Sequence, residues 1–152
     1  RGIYVVWKRS APYPSFVTFD APDRASCTVQ RPRTNTPLQA LVLLNDKAYA
    51  EAAVAFARRM IREAPAEDPS SIAATGYRLA TANRPSERAV QVLVSLYRKE
   101  RASLGENPED VTRRVNLLPK SFRHGDQDDL EVAAWFAVAS TLLNLDATIT
   151  MN

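Results

Sequence analysis

The sequence predicts an all-α fold, an irregular helical bundle of five to six helices with a long proline-rich N-terminal loop. Two observations carry this. Residues that cap helix starts recur, several directly before a proline, and only 4 Gly against 10 Pro implies stiff elements separated by proline-marked breaks. A length of 152 residues suits one domain, burying roughly two-thirds of the surface of the unfolded chain. We read 1–152 as that domain, with an apolar run and wrapping loop over 1–36 and helices over 37–152.

Residues Ile3 to Trp7 are apolar, and the pattern alone does not separate strand from helix. From Ala11 to Thr36 no helical period is visible, and Pro12, Pro14, Pro22 and Pro32 interrupt regular structure. Tyr13, Phe16, Val17 and Phe19 are the side chains expected to pin this loop to the helices. Thr36-Pro37-Leu38-Gln39 then reads as a capping box with proline at the first helical position. Leu38 to Leu44 is apolar on every side, which predicts burial all round.

Asn45 is expected to cap a second helix over about 46–63, with Tyr49, Ala52, Ala53, Phe56 and Met60 on its stripe. Whether 38–63 is one kinked helix or two is open at this level. Asp68-Pro69 starts the next helix, running to about Ala82, and Ser86 caps another with Leu93, Val94 and Tyr97 inward. Asn107-Pro108 opens a shorter helix closed by Pro119. The last, about 128–144, has apolar residues around its full circumference and an acidic start at Asp126, Asp128, Asp129 and Glu131. It and the 38–44 helix are expected at the centre of the core.

Composition excludes several classes. Hydrophobic residues at 45% and charged residues at 24% argue against disorder. The net charge of +3 comes from interleaved signs, so no polyanion-binding face, and hence no nucleic-acid partner, is expected. The apolar run Val132–Ala139 is far shorter than the ~20 residues of a membrane span. One cysteine, Cys27, precludes an internal disulfide.

Chemistry-bearing patterns are sparse. Cys27 and His124 lack partners at ligand spacing, so no metal site is expected. No haem-attachment sequence and no glycine-rich phosphate loop is present, so no cofactor is expected in this segment. The Asp126 to Glu131 stretch lacks the ligand alternation and central glycine of a calcium loop. No catalytic residue is assigned. The most distinctive set is Asp20, Asp23, Arg24, Arg31 and Arg33. Arginine forks on these carboxylates can lock an irregular loop, and the same residues can instead hold an anionic ligand.

Phe19-Asp20-Ala21-Pro22-Asp23-Arg24, Cys27-Thr28-Val29, Arg31 and Arg33-Thr34-Asn35-Thr36-Pro37-Leu38-Gln39-Ala40-Leu41 carry a resemblance. Further matches are Trp7-Lys8-Arg9, Tyr77-Arg78-Leu79-Ala80, Arg84-Pro85-Ser86 and Leu142-Leu143-Asn144-Leu145-Asp146. Together they resemble a planctomycete-specific domain of unknown function, family 1553, found in the C-terminal region of proteins that often carry a cytochrome c domain. Ala89 departs from that pattern, which has an acidic residue there. The resemblance implies a C-terminal piece of a longer exported protein, in a periplasmic or cell-envelope setting, and no reaction.

Three functions follow as expectations. The first is a non-catalytic interaction or scaffold module, its partner being the upstream part of the same protein or another chain. The second is part of an enzyme, glycan-acting for instance, with a site completed upstream. The third is a docking domain for an electron-transfer partner.

Overall fold

The computed structural model describes residues 5–8, 10–22, 27–30, 34–120, 123 and 127–149. Among them are eight helices and no strand: α1 (Pro14–Thr18), α2 (Pro37–Asn45), α3 (Lys47–Glu63), α4 (Pro69–Thr81), α5 (Glu87–Gly105), α6 (Pro108–Val115), α7 (Asp129–Leu143) and α8 (Asp146–Ile149). Six of these have at least eight residues, matching the expected bundle, and α1 and α8 are single turns too short to show a period. The apolar N-terminal run is neither helix nor strand over 5–8.

Helix starts follow their caps. Thr36 Oγ1 accepts from Gln39 N at 3.3 Å while Gln39 Oε1 accepts from Thr36 N at 2.9 Å, so two amides of the open helix end are satisfied reciprocally. Asp68 caps Ser71 N at 2.9 Å, and Ser86 caps Ala89 N at 3.2 Å. The Ser86 N-cap bond thus forms with Ala89 at N3, whose side chain cannot return the reciprocal bond of a capping box. Asn107 occupies its expected place without capping, because its side-chain amide donates back to Ser103 O.

The 38–63 segment is two helices. Asp46, with extended backbone, ends α2 by donating its N–H to Val42 O and starts α3 by accepting from Ala48 N at 2.8 Å. Asp46 is therefore the cap expected of Asn45, whose amide instead donates to Leu41 O.

The core is built around α7, which packs against α3, α5, α6 and α4. Trp135, Val138 and Leu142 have no exposed surface, and burying each such side chain contributes about 1.5–3 kcal/mol. Gly76 lets α4 close on this layer, since a Cβ there would overlap the Met60 side-chain end and sit 3.1 Å from Leu142 Cδ1. Arg58 of α3, itself buried, reaches Asp129 at the start of α7 (3.3 Å), and Gln127 donates to the Arg58 carbonyl at 3.0 Å.

A further expectation fails. The 38–44 helix is not central: in α2, Leu38, Leu41 and Leu44 are 58%, 57% and 53% exposed, and Gln39 is the one buried residue. Its neighbours are α3, α1 and a short stretch of α7. These elements cover one side of a helix that is apolar on all of them.

Candidate functional site

Of the five distinctive loop residues, Asp20 lies within the described structure, and Asp23, Arg24, Arg31 and Arg33 lie outside it. Asp20 has a left-handed backbone (φ 57°), a conformation Asp tolerates better than most residues. Its Oδ2 accepts from Thr34 N at 2.9 Å and Thr34 Oγ1 at 2.6 Å. Thr34 Oγ1 in turn accepts from Gln39 Nε2 at 2.9 Å, and the same amide donates to Thr18 O at 2.8 Å. Gln39 thus joins the end of α1, the loop at Thr34 and the start of α2 through a fully buried side chain. An orphaned amide here would cost about 1–3 kcal/mol, so its saturated bonding explains how a glutamine sits inside. This arrangement ties the loop down through a carboxylate, a threonine and a glutamine.

The same motif reaches the other end of the chain. Asn35 Nδ2 donates to Asp146 Oδ1 at 2.6 Å, joining the Asn-Thr-Pro-Leu-Gln run to the Leu-Asn-Leu-Asp stretch. Aromatic contacts add to the hold. Trp7 stacks on Phe16 (5.2 Å between centroids), Tyr13 meets Phe16 edge-on (5.7 Å) and Phe19 lies 5.8 Å from Tyr49. Val17, expected as an anchor, instead points outward at 61% exposure. On α2, which packs against α1, Leu38, Leu41 and Leu44 are also exposed, spaced so that successive leucines are neighbours on the helix surface. Val6, at 76%, adds to the apolar exposure of the N-terminal segment.

A second polar group joins α5 to α7. Tyr97, buried and stacked on Trp135 (4.3 Å), donates to Glu131 Oε2 at 2.6 Å, and Arg101 Nε donates to Glu131 Oε1 at 2.5 Å. Burial and then the Glu131 carboxylate push the Tyr97 phenol up to about 12, so it stays a proton donor at neutral pH. Sequence reasoning missed this group. Tyr97 and Arg101 share a helix face by their spacing, but Glu131 reads from sequence only as a favourable charge at a helix start.

Among the described residues no group of His, Cys, Asp and Glu can hold a metal, and no helix is long and apolar enough to cross a membrane. Cys27 is exposed. The family model described as PSD1, a protein of unknown function (DUF1553), matches residues 1–97. No curated protein and no solved structure gives a significant match.

Proposed function

The chain belongs to this family of unknown function (DUF1553), and we propose that it serves as a non-catalytic interaction module that docks through the outer face of α2. The observation that carries this reading is the exposure of Leu38, Leu41 and Leu44, each above half, on a helix apolar all round. Single exposed leucines are ordinary, but neighbouring ones on one helix mark surfaces that partners cover. The polar bonding of Gln39 and Asp20 supports the reading, because it holds α2 in place without using those leucines. The partner is the upstream part of the same polypeptide or another protein chain, in the exported, cell-envelope setting that the motif resemblance implies.

A photo-crosslinking residue at position 41, introduced into the full polypeptide in its native organism, tests this. Position 92 is the control, since Val92 is as exposed (61%) but lies on α5. The reading expects a discrete crosslinked product at 41, identifiable by mass spectrometry as an upstream peptide or a second chain. It also expects that product to vanish when Leu38 and Leu44 are changed to Glu. Equal crosslinking at 41 and 92, or none at 41, overturns it.

A further inference from the structure

A cavity of about 530 Å³ lies where the end of α3, the start of α4, the middle of α5 and the start of α7 meet. Its size falls within the range of small-molecule pockets, roughly 300–1,000 Å³. The residues of the α2 face take no part in it.

Its walls divide by chemistry. Ile61, Pro69 and Ile72 line it with aliphatic surface, and Tyr97, stacked on the fully buried Trp135 behind it, contributes aromatic surface. Arg98 and Arg101, one helical turn apart on α5, bring two guanidinium groups. The charge of Glu131 is already answered by Arg101 Nε and the Tyr97 hydroxyl. Arg98 has no ion-pair or hydrogen-bond partner among the described residues, and Arg101 makes its hydrogen bond through Nε. The lining thus balances in formal charge, Arg98 and Arg101 against Glu67 and Glu131, and Arg98, exposed at the rim, is the guanidinium that no carboxylate among the described residues pairs. Buried beside it, the Trp135 indole N–H lacks a hydrogen-bond partner among the described residues. Glu67 also lines the cavity and disfavours a ligand with two or more negative charges.

We propose that this cavity binds a small monocarboxylate with a compact apolar body. The carboxylate would take the planar donor fork of Arg98, aided by Arg101, a geometry that guanidinium matches bidentately. The apolar body would lie against Ile61, Pro69 and Ile72. Such a ligand can be a simple branched acid or the corresponding α-amino acid, whose ammonium Glu67 would receive.

Calorimetric titration of the whole chain with 4-methylpentanoate, leucine, 4-methylpentan-1-ol and inorganic phosphate tests the proposal. Trp135 fluorescence in a Trp7→Phe background gives a second readout at the site. The expected result is millimolar or tighter binding of at least one of the two carboxylates. The alcohol and phosphate should bind at least about tenfold more weakly, a ratio worth ~1.4 kcal/mol. Arg98→Gln should weaken carboxylate binding by about tenfold, and Arg98→Lys, which keeps the charge, by less. Leucine binding better than 4-methylpentanoate, with the difference abolished by Glu67→Gln, identifies the amino acid. Equal or weaker binding of leucine identifies the simple acid. No binding of either carboxylate, equal binding of the alcohol, or undiminished binding to a folded Arg98→Gln protein overturns the proposal.

Discussion

Helices α2 and α7 are written in nearly the same apolar language and end in opposite places. In α7, Val132, Trp135, Val138 and Leu142 are all without exposure, because α3, α4, α5 and α6 surround it. In α2, Leu38, Leu41 and Leu44 remain more than half exposed, and the side chain driven inside is Gln39. A helix apolar on every side needs cover on every side. The fold supplies that cover for α7 and half of it for α2. The two are also held differently: α7 by packed volume, α2 by its cap and the hydrogen bonds of Gln39.

Substitutions can break this comparison or sharpen it. The largest effect is expected for Trp135→Ala, which empties the middle of α7 and should lower unfolding free energy by about 3–5 kcal/mol in urea titrations. A loss below ~1 kcal/mol would mean that α7 is not the centre of the core. Next comes Gln39→Ala, which removes the partner of Thr18 O, Thr34 Oγ1 and the Thr36 amide. It should cost about 1–3 kcal/mol by the same measurement, despite removing no large apolar group. If Gln39→Ala is neutral, α2 is held by something other than its polar contacts.

A smaller effect should appear at high pH. The folded Tyr97 phenol titrates near 12 and an unfolded one near 10, so below 10 both states carry the proton. Between the two values the unfolded chain has lost its proton and the folded one keeps it, so stability falls as pH rises. Tyr97→Phe should remove that part of the decline, read as the difference between the pH profiles of the two proteins. The smallest effect is expected for Leu41→Ser, within about 0.5 kcal/mol because the site is already wet. A loss of more than 2 kcal/mol there, on the scale of a buried leucine, would show that the α2 face is core after all, and would remove the basis of the docking reading.

Much of the fold was legible because caps are local. Thr36, Asp68, Ser86 and Asp128 satisfy amides two or three residues away, so a short window contains the whole interaction. Asn45 and Asp46 share capping chemistry, and only the backbone turn selects Asp46 as the cap. The turn of α1 escaped because five residues cannot display a helical period. The candidate sites were less legible. Asp20 stood out by composition, but its partner Thr34 is recognisable only once the loop closes. The cavity beside Trp135 draws on four helices, which no sequence pattern places together.

By itself the sequence determined the all-α class, the starts of its main helices and the absence of a long apolar span, since these rest on contacts within a few turns. Only the tertiary structure decided which apolar helix is enclosed and which is left at the surface. Hydrophobicity states that an element gains by leaving water; it carries no direction, and the neighbours that grant or withhold cover are distant in the chain. That is why α7 lies under four helices while α2 keeps three leucines exposed.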